Sequence, residues 1–128
     1  MVIGLGIDLV DIDRVVRMLA RGGERIAARL LTEREWAYCS RKHTPATHVA
    51  ARLAAKEAAF KALAGSMDAR GIGWKEIEVV HDDHRRPGLL LHGRAAERCA
   101  ELQVTRTLVS LSHSLLTASA VVVLERDV

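Results

Sequence analysis

Apolar positions change their spacing along the chain, and each spacing predicts a different element. The run from Val2 to Val10 is short and apolar, which predicts a buried strand, and Asp8 is an unusual carboxylate within it. Gly4 and Gly6 resemble the start of a dinucleotide-binding loop, but no third glycine follows, so that motif is incomplete. Because an acid at a strand end often caps a helix, Asp8 alone leaves its role open.

Helical and strand spacings alternate along the rest of the chain. The first predicted helix is capped by Asp11 or Asp13, runs to about Arg21 and is broken by Gly22-Gly23. A short helix at Glu24–Leu31 follows, and the capping-box pattern of Thr32 and Glu35 predicts another that runs through about Cys39. The last two are a long helix that begins at Pro45 and is stopped by Gly65, and Gly93–Leu102 with Ala95, Ala96, Cys99 and Leu102 facing inward. The predicted strands are Ile77–Val80, Leu89–Leu91, Thr107–His113 and Ala118–Glu125. A mobile loop is predicted at Ser66–Gly73. This order predicts an α+β domain with one long buried helix and a mixed or antiparallel sheet.

The stretch from Ala50 to Leu63 places four charges in an otherwise apolar helix. At 100° per residue, Lys56 lies in the middle of the apolar stripe, and Arg52, Glu57 and Lys61 lie on its flanks. A charge among packed apolar side chains is costly unless it is paired or binds an ion, so the cluster predicts ionic ligands. The same spacing also fits a glutamate–lysine pair on an exposed, alanine-rich helix, and this stretch alone leaves both interpretations open.

The helix that ends near Arg21 has a basic face opposite its apolar face. Arg14, Arg17 and Arg21 lie within about 60° of one another on a helical wheel. Such a stripe is usually a solvated face. Since arginine pairs bidentately with carboxylates and no acid is interleaved, we expect these three residues to face an acidic partner.

Histidines occur in two contexts. His81 and His84 lie in a polar turn with no third ligand in view, which favours a solvated turn over a metal site. His113 shares a strand face with Val109 and Leu111, so it is predicted to point toward the core. In that position a hydrogen-bonded structural histidine is more common than a functional one.

Length and composition limit the functional classes. The 128 residues are expected to form one domain, residues 1–128. Cys39 and Cys99 form no Cys-x-x-Cys motif, so we expect no disulfide framework and a reducing, cytoplasmic compartment. No basic leader precedes Asp8, so no signal peptide is predicted. The longest uncharged run is rich in Ser and Thr, so no membrane span is predicted either. Two Trp, one Tyr and one Phe, with 19 basic against 16 acidic residues, give little support for nucleic-acid binding.

Three motifs occur in an order typical of one family. They are Gly-Leu-Gly-Ile-Asp8 with Arg14 six residues later, Ala-Arg52-Leu-Ala-Ala-Lys56-Glu57-Ala-Ala-Phe-Lys61, and Val-Ser-Leu-Ser-His113. Together they resemble the holo-acyl-carrier-protein synthase family of 4'-phosphopantetheinyl transferases, and the resemblance spans essentially the whole chain. It implies a homotrimer with active sites at subunit interfaces. It also implies transfer of phosphopantetheine from coenzyme A to a serine of an apo acyl carrier protein, with release of adenosine 3',5'-bisphosphate.

The resemblance further implies roles for the charged positions. Asp8 and Glu57 match acids that coordinate Mg²⁺, an ion that prefers oxygen ligands. Lys61 matches the lysine that contacts the phosphates, and Glu57 is the candidate for accepting the serine proton, so both are assigned catalytic roles. Coenzyme A binding is implied for Arg52, Lys56, Lys61 and His113, and carrier-protein binding is predicted for Arg14, Arg17 and Arg21.

Two positions depart from the family pattern. Ser114 follows His113 where many members have aspartate, so no role for that aspartate carries over. The turn contains Arg85-Arg86-Pro87 where Gly-x-Pro is often found, which bears on turn shape. The alternative to an enzyme is a non-catalytic module that binds an acidic protein through its basic N-terminal helix. That alternative assigns no shared role to Asp8 and Glu57, the two candidate metal ligands.

Overall fold

The computed structural model describes residues 1–63 and 71–128, and its elements follow the predicted order. They are β1 (Val2–Asp11), α1 (Ile12–Leu30), α2 (Glu33–Ser40), α3 (Pro45–Ala62), β2 (Ile77–His81), β3 (Pro87–Leu91), α4 (Gly93–Glu101), β4 (Arg106–His113) and β5 (Thr117–Glu125), with a 3-10 turn at Trp74–Glu76. The prediction of an α+β fold is confirmed. Gly65 and the predicted mobile loop Ser66–Gly73, apart from residues 71–73, lie outside the described residues.

The described strands form two antiparallel sheets. In one sheet β5 is the central strand, with β1 and β4 on its two sides, and β2 pairs with β3 in a separate hairpin. α3 packs against β1 and β5, where Ala118, Ala120, Val122 and Leu124 form the buried face of β5. The predicted sheet is therefore antiparallel rather than mixed. No helix in residues 1–63 and 71–128 has the length and apolar character needed to cross a membrane.

Two glycines explain how closely α3 packs against β1. A Cβ atom on Gly4 would overlap the carbonyl oxygen of Ala62, and one on Gly6 would overlap that of Ala58. Because alternate residues of a strand share a face, Asp8 follows Gly4 and Gly6 on the side that faces α3. The glycines that resemble an incomplete nucleotide motif therefore bring the backbone of β1 against α3.

The outer face of β1 is not buried. Leu5, Ile7 and Leu9 are 65%, 60% and 66% exposed and form one row on an edge strand. The prediction of a buried strand is wrong for this face. An apolar run has the same sequence pattern whether its outer face meets the core or remains open for another surface.

α1 contains the glycine break that was predicted after Arg21. Gly23 has φ 51° and ψ −132°, a conformation that favours glycine, and it divides the helix into two segments. Arg14, Arg17 and Arg21 lie on the first segment, and all three are exposed. Asp13 pairs with Arg17 at 2.7 Å, so an acid does reach this stripe, contrary to the prediction.

α4 attaches to the end of α3 through a buried arginine. The Nε of Arg98 donates to the carbonyl oxygen of Leu63 at 3.1 Å, and its Nη1 donates to Glu101 at 3.1 Å. Ala95 is buried as predicted, but Ala96 is exposed. The prediction for Ala96 is wrong because the helix is turned so that Arg98 reaches the carbonyl oxygen of Leu63, just after α3.

Candidate active site

A groove of about 370 Å³ lies between β1, α1 and α3. Asp8 of β1, Glu57 of α3 and Arg14 of α1 all line it, and Trp74 forms part of its wall. The family resemblance implies that Asp8 and Glu57 act together, and the structure places both at the same groove. Two carboxylates on one groove form an oxygen-rich site that suits a hard cation.

Lys61 contacts the same aspartate. Its Nζ donates to Asp8 Oδ1 at 3.0 Å and to the carbonyl oxygen of Ile7 at 3.0 Å. About half of the Lys61 side chain is exposed, and an ion pair of this exposure contributes about 1 kcal/mol or less to folding. The contact therefore matters more for the charge it places beside Asp8 than for stability.

Glu57 is available for a ligand. It is half-buried, and within the described parts of the chain no hydrogen bond or ion pair engages its carboxylate. Besides the groove, it lines a second cavity of about 220 Å³ together with Phe60, Ile72 and Trp74. Glu57 and Trp74 thus border both volumes.

Lys56 has a different environment from the one implied by the family resemblance. Its side chain is 1% exposed, and its Nζ donates to Glu35 at 2.8 Å, to the Trp74 carbonyl at 2.8 Å and to the Ile77 carbonyl at 2.6 Å. Burial lowers the pKa of Lys56, and the negative charge of Glu35 opposes that effect. The predicted position inside the apolar stripe is confirmed. Because all three donors of the ammonium are used within the protein, none is left for a phosphate of coenzyme A.

Glu35 has a larger role than the capping predicted from sequence. The capping box with Thr32 forms, with Thr32 N donating to Glu35 Oε1 at 2.9 Å and Glu35 N donating to Thr32 Oγ1 at 3.1 Å. The second carboxylate oxygen accepts the Val79 N–H at 2.9 Å. Glu35 is 1% exposed and so joins α2 to Lys56 and to β2 inside the protein.

Basic residues surround the ring of Tyr38. We call this group the Tyr38 cluster: Tyr38, Lys42, His48, Arg52 and His81. The Nζ of Lys42 lies 4.4 Å and the guanidinium carbon of Arg52 lies 4.3 Å from the Tyr38 ring centroid. His81 stacks on the ring at 4.9 Å, and His48 meets its edge at 5.9 Å between centroids. Since cations are attracted to aromatic faces, Tyr38 gathers positive charge in one place.

The Tyr38 cluster has the electrostatic character of an anion site. Burial first, and then the positive charges of Arg52 and Lys42, lower the pKa of both His48 and His81. Arg52 is 2% exposed and donates through Nη1 to the His48 carbonyl oxygen at 3.1 Å. Its Nε–H is buried and finds no acceptor among the described residues. A buried donor beside other cations favours a negatively charged ligand.

The two predicted histidine environments are only partly correct. His113 shares a strand face with Val109 and Leu111, but it is exposed because it lies at the end of β4, beyond the core. His113 lies close enough to His48 that a positive charge on its ring would lower the pKa of His48. His81 stacks on Tyr38 and is not part of a solvated turn. No group of three or more potential metal ligands among His, Cys, Asp and Glu occurs in the described residues.

The sequence does not single out several residues that the structure brings to these sites. They are Tyr38, Lys42, His48 and Trp74. These residues come from separate elements and loops, so no common periodicity connects them. The basic composition between residues 41 and 48 is the one signal that could have indicated an anion site there.

Comparison with known proteins identifies the family. Residues 4–120 match the model of the 4'-phosphopantetheinyl transferase superfamily. The chain belongs to this superfamily. The family resemblance inferred from the motifs is thereby confirmed, and all three motifs lie inside the matched residues.

Members of this superfamily match the chain over nearly its whole length. A holo-[acyl-carrier-protein] synthase of Geobacter sulfurreducens is 44% identical over 126 residues, which cover 98% of this chain and 99% of the relative. The crystal structure of the Neisseria meningitidis holo-[acyl-carrier-protein] synthase has a TM-score of 0.83 at 29% identity and covers 98% of this chain and 100% of that one. The Helicobacter pylori holo-[acyl-carrier-protein] synthase, solved in complex with coenzyme A, has a TM-score of 0.80 at 26% identity. The match covers 94% of this chain and 99% of that one.

Proposed function

We propose that this chain transfers the 4'-phosphopantetheine group of coenzyme A to a serine hydroxyl of an apo acyl carrier protein. The observation that carries the proposal is the arrangement around Asp8, which shares a groove with Glu57 and Arg14 and is paired with Lys61. Two carboxylates and a lysine suit a pyrophosphate with its counter-ion, and an arginine on the same groove suits an acidic protein. Membership of the superfamily supports the same reaction.

The proposed reaction exchanges one phosphorus–oxygen bond for another. The serine oxygen forms a bond to the phosphorus next to pantetheine, and the bond between that phosphorus and the bridging oxygen breaks. The adenosine 3',5'-bisphosphate leaves with the bonding electron pair. Glu57 is the proposed acceptor of the serine proton, since it borders the groove and has no partner within the described residues. Lys61 is proposed to offset the charge that develops on the leaving phosphate.

Asp8 and Glu57 are the residues that would hold Mg²⁺. Carboxylate oxygens are the ligands this ion prefers, and it commonly takes one or two of them together with substrate phosphates and water. When bound, the ion would supply positive charge to the pyrophosphate.

We place the nucleotide end of coenzyme A at the Tyr38 cluster. Arg52 supports this because its buried Nε–H lacks an acceptor in the described residues, and His113 supports it because it lies close enough to His48 to influence that residue's pKa. Lys61 remains the proposed contact for the pyrophosphate. Lys56 is no longer proposed as a direct contact, since its donors are used by Glu35 and two carbonyl groups.

The carrier protein is proposed to bind along the first segment of α1. Arg14, Arg17 and Arg21 are exposed there, and Arg14 also borders the groove that contains Asp8. This places a carrier held by α1 next to the proposed site of transfer. Arginine pairs well with carboxylates, so an acidic carrier surface suits this stripe.

We propose a homotrimer whose active sites lie between subunits. The exposed row Leu5, Ile7 and Leu9 supports an apolar contact beside Asp8. At 100° per residue, Arg52 and Glu57 point about 140° apart around α3, so the nucleotide and phosphate subsites of one chain face different directions. Two neighbouring chains can then hold the two ends of one coenzyme A molecule.

A cytoplasmic location is part of the proposal. Cys39 and Cys99 are both free thiols, which fits a reducing compartment. Cys39 is buried, and burial raises the pKa of its thiol to about 11, so it is a poor nucleophile at neutral pH.

One experiment separates an enzyme from a binding module. The protein is incubated with coenzyme A, Mg²⁺ and an apo acyl carrier protein, and the carrier is weighed by mass spectrometry. A mass gain equal to one phosphopantetheine group, absent when a chelator removes Mg²⁺, supports the proposal. A carrier complex with no mass gain would favour the non-catalytic module that binds through the basic helix.

A further inference from the structure

The buried pair of Lys56 and Glu35 joins three parts of the chain. Lys56 belongs to α3 and Glu35 to α2, and the two carbonyl oxygens that Lys56 binds belong to Trp74 and Ile77. Glu35 also accepts the N–H of Val79 in β2. The pair therefore fixes the backbone at both ends of residues 74–77 against the two helices.

Trp74 is the point where this network meets the candidate active site. Trp74 and Glu57 both line the 370 Å³ groove and the 220 Å³ cavity. The Trp74 carbonyl is bound by Lys56, which immediately precedes Glu57 in α3. The backbone that carries the tryptophan is thus attached to the helical turn that carries the carboxylate.

We propose that Lys56 and Glu35 are positioning residues that hold Trp74 beside Glu57 as the shared wall of the groove and the cavity. This inference rests on the proposed function, because it places the transfer at Asp8 and Glu57. A fixed wall limits how far a phosphate beside Glu57 can move away from Asp8. It therefore acts on the rate of transfer and leaves carrier binding at α1 unaffected.

A charged pair achieves this positioning in a way that an apolar contact cannot. The two carbonyl oxygens lie 2.8 Å and 2.6 Å from one Nζ atom, so direction as well as distance is fixed. An apolar side chain could fill the same space, but it would bind neither carbonyl. Because well-packed apolar residues are often as stabilising as a buried ion pair, fold stability alone gives little reason for Lys56 at this position.

The test uses Trp74 as its own reporter. The chain has two tryptophans, so Trp36→Phe serves as the parent in which Trp74 is the single tryptophan, and selective excitation of tryptophan keeps Tyr38 out of the signal. Lys56→Met and the double variant Glu35→Gln/Lys56→Met are made in this parent. The single variant leaves Glu35 buried without its cation and should lower Tm. The double variant removes both charges of the pair, and the glutamine oxygen can still accept the Val79 N–H.

Leu124→Ala in the same parent is the matched control. Leu124 is 1% exposed in the core of β5, and its truncation lowers Tm without touching the bonds of Lys56. Measured well below Tm, both Lys56 variants should show stronger acrylamide quenching of Trp74 and a kcat reduced roughly tenfold to a hundredfold. KM for the carrier protein should stay unchanged, and the double variant should regain Tm without regaining kcat.

Two results would overturn the inference. One is a Trp74 quenching constant in the double variant equal to that of the parent, and the other is a kcat that recovers together with Tm. If the single variant does not fold, the double variant carries the same test. Quenching is measured without substrates, so a failure of the proposed function would be seen separately, as transfer that survives Glu57→Ala.

Discussion

The ammonium of Lys61 lies 3.0 Å from Asp8 Oδ1, although 53 residues separate the two in the chain. The contact depends on Gly4 and Gly6, which let the backbone of β1 approach α3 more closely than any side chain would allow. Because the pair is partly exposed, its free energy is small, and Asp8 can exchange this partner for a ligand at little cost.

Replacing either groove carboxylate should abolish transfer and leave the fold intact. For Asp8→Ala and Glu57→Ala we expect kcat/KM to fall on the order of a hundredfold or more, since each variant removes a proposed ligand of Mg²⁺. Tm should change little, because a functional acid contributes little to stability. Asp83→Ala, at an exposed acid of the β2–β3 turn, is the matched control. Full activity in either variant would refute the assignment of Asp8 and Glu57 as ligands of Mg²⁺.

Charge reversal on α1 should affect the carrier protein and not coenzyme A. We expect Arg14→Glu to raise KM for the carrier and to make carrier binding less sensitive to salt, since an attractive charge contact is lost. Steady-state kinetics with each substrate varied in turn measures this. Arg25→Glu, an exposed position of α1 beyond the break at Gly23, should have a much smaller effect. A variant at Arg14 that loses coenzyme A affinity instead would show that the stripe serves the other substrate.

Removal of the buried guanidinium should weaken recognition of the nucleotide end of coenzyme A. For Arg52→Met we expect KM for coenzyme A to rise roughly tenfold to a hundredfold, the effect of losing hydrogen bonds to a charged group. The unchanged protein should also discriminate against coenzyme A that lacks its 3'-phosphate, and the variant should not. Arg41→Met changes an exposed arginine outside the Tyr38 cluster and should keep the discrimination. Equal discrimination in both variants would contradict the proposed subsite.

A buried glutamate at the start of β2 should make stability depend on pH in the acid range. Hydrogen bonds from Arg34 above all, and also from Thr32 and His92, lower the pKa of Glu78 to about 2 from 4.5, against the effect of burial. Because the folded-state pKa is the lower one, the stabilisation is complete above about pH 4.5 and is lost as the pH falls toward 2. Glu78→Gln should therefore reduce the free energy of unfolding by about 2 kcal/mol at pH 7.

Denaturant unfolding at two pH values checks this prediction. The difference in unfolding free energy between the unchanged protein and Glu78→Gln should be smaller at pH 3 than at pH 7. A difference of the same size at both pH values would mean that the charge of Glu78 is not responsible.

A charge placed on the outer face of β1 should prevent assembly. We expect the unchanged protein to have the mass of a trimer by light scattering, and Ile7→Glu to have a lower mass and reduced transfer, because a buried unpaired charge opposes the contact. Leu90→Glu places the same charge on an exposed residue of β3 and should leave the mass unchanged. A monomeric but fully active parent protein would refute both the trimer and the shared active site.

Features that depend on one element could be predicted from the sequence. The burial of Lys56, the break near Gly23 and the capping box of Thr32 with Glu35 all follow from spacing within a helix or at its end. The carboxylate that pairs with Lys56 could not be predicted, because it comes from a different helix, 21 residues away. Spacing within α3 indicates that the ammonium needs a partner, but it does not indicate which acid supplies it.

Features that depend on where the core ends could not be predicted either. Leu5 and Ile7 belong to an apolar run that is typical of a buried strand. His113 shares a strand face with Val109 and Leu111, yet all three of Leu5, Ile7 and His113 are exposed. Alternation specifies which residues share a face, but not whether another element covers that face. The Tyr38 cluster cannot be predicted for a related reason, since its residues are brought together only by tertiary packing.

The outer surface of β1 also bears on how newly made chains behave in the cell. Among the described strands, β1 pairs only with β5, so its free edge presents backbone N–H and C=O groups beside the apolar row of Leu5, Ile7 and Leu9. Such an edge can pair with any other open strand and is a common starting point for aggregation. Rapid synthesis should therefore give insoluble protein, whereas slow synthesis leaves time for correct partners to meet. In the proposed trimer, a neighbouring subunit would cover this surface and so protect the chain from aggregation.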